Sequence, residues 1–178
     1  MAQQVFKIAD ATKVKLITSG DQINFISSMT IANIHSGDAT VDLYLVSQVS
    51  TDITNTTVLA AESEAVSTSS VTLTVDTVSA TADILDEEIV YKSDGTIFGT
   101  CTAVNSTTEI VFGGGLTSAI TNNDPLYVGS KYYLFKSLVI PVGQTLKLES
   151  NEVSFDNKIY SLYVKLAGST PIDIILKH

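Results

Sequence analysis

The sequence contains no arginine and no tryptophan, and only one cysteine, two histidines and three prolines among 178 residues. Each shortage removes a class of explanation. Without arginine there are no planar forks to grip phosphates in pairs, and all ten basic residues are lysines set against nineteen acids, a formal charge of -9. Proteins that track a phosphate backbone gather Lys and Arg on one face, so no nucleic-acid partner is expected. Cys101 has no second thiol to pair with. No N-terminal apolar run has the form of a signal peptide or membrane span, so the expectation is folding in a reducing cytoplasm with no membrane partner. His35 and His178 are too few to build a zinc site or a Ser-His-Asp triad. No grouping of catalytic residues appears anywhere, and neither an enzymatic activity nor a cofactor or metal is expected.

What is present is a pleated-sheet composition. The chain is 44% hydrophobic and only 16% charged, crowded with Thr, Ser, Val and Ile, and long enough to bury a core in one domain carrying an insertion. The stretch Tyr132 to Leu148 reads as two strands meeting at the Pro141-Val142-Gly143 turn. Apolar and polar residues alternate at Leu146 to Glu149, at Tyr160 to Leu166 and at Ile172 to Lys177, the period of a half-buried antiparallel strand. Residues 131–178 are therefore expected to form a meander. Earlier in the chain, Val5, Phe6 and Ile8 mark a short strand or ordered arm, and Lys13 to Ile17 a second run. Ile23, Phe25, Met29 and Ile31 share one face of a strand crossing the core. Asn33 to Asp38 supplies turn chemistry before Val41, Leu43 and Leu45, which predicts a hairpin.

From Ser50 the alternation lapses into Thr, Asn, Ser and Ala, and 50–66 is read as a polar linker. Shorter, closely spaced strands follow in 67–130: Val71 to Asp76, Asp86 to Tyr91, Thr96 to Val104, Glu109 to Phe112 and Pro125 to Val128. The spacing of the set is that of a small barrel or compact sheet. Charge supports the division. Residues 62–129 hold ten acids and one base, Lys92, leaving nine acids and nine lysines elsewhere. The expected fold is all-β: an antiparallel β-sandwich, jelly-roll or Ig-like, formed by 1–49 and 131–178, interrupted by an acidic, barrel-like inserted module over 67–130.

Several constellations have plain readings. Asp83, Asp86, Glu87, Glu88 and Asp94 could offer oxygens to calcium, but their spacing does not match an EF-hand loop; a solvated acidic face and an Asp94-Gly95 hairpin turn account for them. Gly113-Gly114-Gly115 lacks the Lys-Ser/Thr of a phosphate loop and is read as a turn or bulge. Cys101 sits in an alternating strand as a buried, inert thiol. Adjacent strand residues face opposite ways, so one of Tyr132 and Tyr133 must leave the core, and an interface is the natural cover. Val5, Phe6 and Ile8 are candidates to add a strand to a neighbouring subunit's open edge, which predicts a homo-oligomer. Val5, Phe6, Ile8, Tyr132 and Tyr133 are thus the candidate interface residues.

The combination of Ala32-Asn33-Ile34, Val41-Asp42-Leu43-Tyr44-Leu45, Tyr132-Tyr133-Leu134, Ile140-Pro141-Val142-Gly143-Gln144-Thr145-Leu146 and Ile172-Asp173-Ile174-Ile175 resembles the small β-sandwich virion proteins of tailed bacteriophages. The segment with Asp86 to Tyr91, Gly99 to Val104, Leu116 and Pro125 to Val128 looks like the small barrels that decorate many phage tail and capsid proteins. The resemblance covers the outer sandwich, and the long acidic insertion departs from the shortest members of the group. It implies a structural protein made in the host cytoplasm and placed in the virion, as a capsid decoration or a neck or tail accessory subunit with capsid, neck or tail proteins as partners. A carbohydrate- or receptor-binding module on the tail is the alternative.

Overall fold

The computed structural model describes residues 2–23, 25–76 and 85–178. In chain order the strands are β1 (Gln3–Ile8), β2 (Val14–Ile17), β3 (Ser28–Ala32), β4 (Ala39–Ser47), β5 (Ile53–Leu59), β6 (Val71–Thr74) and β7 (Ile89–Tyr91). There follow β8 (Ile97–Ser106), β9 (Glu109–Phe112), β10 (Pro125–Gly129), β11 (Lys131–Ile140), β12 (Thr145–Glu149), the short helix α1 (Ser150–Val153), β13 (Tyr160–Leu166) and β14 (Ile172–Lys177). The strand pairings with an assigned register among the described residues are antiparallel. The chain divides into two compact units, Met1–Val46 with Lys131–His178, and Ser47–Ser130.

The first unit follows from alternating strands that each have one apolar face to hide. Its pairings are nested: β1 lies against β14, β2 against β13, β3 against β12 and β4 against β11. Rolling that double ribbon up brings β14 beside β3 and gives two four-stranded sheets, ordered β1-β14-β3-β12 and β11-β4-β13-β2. First strand with last, second with second-last, in two sheets of four, is a jelly roll. Of the two sandwich types left open by the sequence, this is the one formed. Ile8, Met29, Ile31, Leu148, Ile172 and Ile174 from one sheet and Val41, Leu43, Leu162, Val164 and Leu166 from the other make a single buried core.

Three local expectations change. β3 and β4 lie in different sheets, so Asn33 to Asp38 is a crossover and not a hairpin turn. The Asn33 side-chain amide donates to the Gly37 and Ile140 carbonyls, both at 2.8 Å, and its backbone bonds to Gln144 and Gly143, which hands the chain to the β11–β12 turn. The C-terminal strands are not a meander for the same reason: β11, β12, β13 and β14 alternate between the sheets. Phe25, expected in the core, is 59% exposed. Residues 21–27 are not strand where described, and the Asn157 side chain fastens this stretch by donating to the Asp21 and Ile23 carbonyls.

In the second unit the sheet order is β5-β10-β7-β8-β9-β6. Its core is Val58, Leu73, Leu85, Val90, Phe98, Ile110, Phe112 and Leu126, with Cys101 buried among them. Where a small barrel was expected, the pairing is a six-stranded sheet, with an isolated bridge between Ala60, just after β5, and Val75, just after β6. The stretch 50–66 is not a linker: it carries β5, and its Glu64 bridges to Ile120, as Ser67 just beyond it does to Leu116. Its polar appearance misleads because Thr56, though buried, satisfies its hydroxyl by donating to the Leu126 carbonyl at 2.6 Å, while Val58 beside it fills the core. Asp94-Gly95 is the expected turn, with Gly95 at φ 83° and the Thr96 amide donating to the Asp94 carboxylate at 2.9 Å. Gly115 adopts φ 82° where a side chain would collide with the Ser67 carbonyl, so here glycine is required.

Two outcomes follow from this architecture. Because Lys131 is registered against Val46 and the Ser47 amide bonds to the Ser130 carbonyl, replacing 48–129 by Asn-Gly should close β4 and β11 into a two-residue hairpin. The shortened chain is expected to keep a β-type circular dichroism spectrum and unfold cooperatively; a chain without a cooperative transition would show that the sandwich needs its insertion. Thr57, β-branched and at φ 64° in edge strand β5, is strained, and Thr57→Asn should raise stability by roughly 0.5–1 kcal/mol in denaturant unfolding.

Candidate interaction surface

Alternation places Tyr44 and Val46 of β4, Tyr163 and Lys165 of β13, Tyr133 and Lys131 of β11 and Lys15 of β2 on the outer face of one sheet, since their neighbours fill the core. The rings form a row: Tyr163 stacks on Tyr44 at 5.6 Å between centroids, and Tyr133 leans on Tyr44 at 5.6 Å, tilted 49°. Lysines cap the row. Lys131 Nζ stands 4.1 Å from the Tyr44 centroid, Lys136 Nζ 5.1 Å from that of Tyr133, and Lys13 and Lys15 Nζ 5.2 and 5.3 Å from that of Tyr163. Each such contact is worth about 0.5–1 kcal/mol at an exposed site. Tyr44 and Tyr163 are buried, so two of the three rings offer no face on which a sugar could stack, and Tyr133 alone of the row is partly exposed. Burial, and next the Asp42 carboxylate, raise the Tyr133 phenol above its ordinary value, while Lys165 pulls it down.

The candidate interface residues separate into different roles. Tyr133 belongs to the row just described, and Tyr132, also partly exposed, meets Tyr160 edge-on at 5.8 Å. β1 is no free arm, since Gln3 to Ile8 pairs residue for residue with Lys177 to Ile172. Ile8 is core and Phe6 packs against it, because the even positions of the strand face inward; Val5 points out and is 63% exposed.

The sequence reading missed an apolar rim at the β11–β12 turn. Leu138, Val139, Ile140, Pro141 and Leu146 line an open groove there. The turn is tied to the loop after β3, for Gly143 donates to the Asn33 carbonyl and Val142 to the Asp38 carboxylate at 3.2 Å. Val139, Val142 and Ile34 are left exposed around it. The only trace in the sequence was a run of apolar residues too long for strict alternation, Leu138 to Val142.

Acidic residues do not converge. Among the described residues no group of three or more His, Cys, Asp or Glu is placed to hold a metal ion; Asp83 lies outside them. Glu88, expected on a solvated face, is buried, because the turn after Leu85 is drawn down by the Glu88 amide bonding to the Leu85 carbonyl and the Cys101 amide to that of Glu88. It also raises the buried Tyr91 phenol, second to burial itself. Compared with protein-family models, curated proteins and solved structures, the chain matches none.

Removing the Asp42 charge should ease ionisation of Tyr133, since a carboxylate opposes a phenolate beside it. In phenolate absorbance titrations, with Tyr133→Phe identifying the signal, Asp42→Asn is expected to lower the Tyr133 pKa part of the way to its ordinary value. An unmoved or raised value would mean that the carboxylate does not act on this ring.

Proposed function

We propose that this chain is a structural subunit of a tailed-phage virion, a capsid decoration or neck or tail accessory protein, whose jelly roll docks on neighbouring virion proteins. The observation that carries the reading is the eight-strand jelly roll itself, with its insertion in the β4–β11 turn. That fold serves viral shells and lectins repeatedly, and a fold supports a function only by analogy. Between those two uses, the buried Tyr44 and Tyr163 rings and the exposed apolar rim favour assembly over sugar binding. Val139 and Val142 at this turn, and Ile34 on the loop bonded to it, are exposed apolar side chains of the kind that a partner surface covers, and the occupant assigned to them is an apolar patch on a neighbouring virion subunit.

The charge distribution fits this role. The sandwich carries eight acids and nine lysines, whereas residues 47–130 carry eleven acids and one lysine. A nearly neutral unit can approach a neighbour without long-range repulsion, and a strongly acidic one favours colloidal solubility. The test is incorporation into particles. Virions assembled with Val139→Asp, a change at an exposed position that leaves the core intact, should carry at least tenfold less of the chain than wild type, with the isolated variant melting within a few degrees of the parent. Absence of the wild-type chain from purified particles would overturn the virion reading, and undiminished incorporation of the variant would overturn the rim as the contact.

A further inference from the structure

The four edges of the jelly roll are not equally guarded, and a sheet edge left regular is a template for another strand. β11 is broken twice in its register with β4, between Tyr133 and Phe135 and between Phe135 and Leu138, with Ser137 at φ 53° and its amide turned to the Asp42 carboxylate at 2.6 Å. β2 has four residues and a register shift. On β12, the Asn33 amide bonding to the Gln144 carbonyl sets the even positions toward β3, so Thr145, Lys147 and Glu149 face the open side. There the Glu149 amide is already taken by the Glu152 carboxylate at 2.7 Å. β1 alone has neither bulge nor cap: six residues in unbroken register with β14.

The hydrogen-bonding phase of β1 is set by the reciprocal bonds between Ala2 and His178, at 2.8 and 3.0 Å. Period two then turns the backbone groups of Gln4, Phe6 and Ile8 toward β14, and those of Gln3, Val5 and Lys7 outward, where among the described residues β1 has no second strand. We infer that this edge pairs with the same edge of a second copy, antiparallel about a twofold axis at Val5, joining two four-stranded sheets into one of eight. This deepens the assembly reading above and rests on it.

The occupant is a second copy because this register is self-complementary. Val5 meets Val5 of the other copy, an apolar pair that covers the exposed side chain. Lys7 meets Gln3, so the two lysines stay apart, and all outward amides and carbonyls of Gln3, Val5 and Lys7 are matched. Gln4 supplies an independent sign: its side-chain oxygen is buried at this edge without a hydrogen-bond partner. Across the axis Gln4 is diagonal to its own counterpart, at about 7 Å between backbones, within reach of a long side chain.

The experiment uses the full chain. Wild type should show concentration-dependent dimers in sedimentation velocity. Val5→Pro removes an amide that faces only the open edge, leaves the β14 ladder intact and should weaken the dimer at least tenfold without changing the far-ultraviolet spectrum. Val5→Cys should give a disulfide-linked dimer under mild oxidation, since hydrogen-bonded antiparallel pairs hold their Cα atoms about 5.5 Å apart, inside disulfide range; Lys7→Cys, out of register with itself, should not. A dimer that persists with Val5→Pro and is not linked by Val5→Cys, or equal linking by Lys7→Cys, would overturn this edge while leaving the assembly reading standing. A chain that is monomeric at every concentration yet present in particles would also overturn the pairing alone. Absence from particles would remove the reading beneath it.

Discussion

Nested pairing between the two ends of the chain is the constraint on which the sandwich depends. Every strand before the insertion lies against a strand after it, β1 on β14 through to β4 on β11. Neither half forms the core alone, because Ile8, Met29 and Leu43 share a single buried cluster with Leu148, Leu162, Val164 and Ile174 from beyond Lys131. The loop that must close before any of this forms spans the whole insertion. Loop-closure cost grows only logarithmically with length, so a long insertion is tolerated thermodynamically, but pairing at such sequence separation is slow. An insertion that folds on its own core shortens the effective loop: once Ser47 and Ser130 are joined, β4 and β11 start as neighbours.

That argument explains where the insertion sits. In a nested ribbon only the innermost turn can be lengthened without separating pairs that lie further out. A comparable insertion between β1 and β2, or between β13 and β14, would interrupt a crossover between sheets. The β4–β11 turn also begins on adjacent, paired residues, Val46 and Lys131. Charge follows the same division, with one of ten lysines inside the insertion. The lysines of the sandwich have a structural use besides neutralising its acids, because Lys13, Lys15, Lys131 and Lys136 stand over the Tyr163, Tyr44 and Tyr133 rings. A compact ammonium on a flexible stem suits that role.

Most strands were legible in the sequence and strand partnership was not, for a physical reason. Period-two alternation records which face of a strand is buried, as Leu162, Val164 and Leu166 do on β13, and it carries nothing about which strand lies alongside. Successive strands were therefore assigned to each other as hairpin and meander, although in a jelly roll the chain changes sheet at almost every turn. The polar side of β5 hid a strand because its inward Thr56 is satisfied by a backbone carbonyl, a contact that composition cannot express. Phe25 and Glu88 failed in opposite directions for one cause: local chain direction, set by Asn157 on one side and by the Leu85 turn on the other, overrode the preference of the side chain. Of the candidate interface, Val5 and Tyr133 lie where alternation turns a side chain outward, while the rim around Val139 depends on a crossover loop arriving from β3.

A sandwich cannot abolish its edges as a closed barrel does, so each must be disarmed or used. Bulges with left-handed Ser137 and Thr57 disarm β11 and β5 at the cost of a strained backbone, of order 1–3 kcal/mol each. The capping box of Glu149 and Glu152 closes the end of β12 with a side chain in place of a strand. Such devices cost stability, and in the sandwich β11 is bulged, β2 has a register shift and β12 is capped, whereas β1 has none of these. An unguarded strand in a protein of this charge would otherwise invite indiscriminate pairing; Lys7 at one end of β1 limits the registers in which another strand can lie, since any that opposes two lysines is penalised.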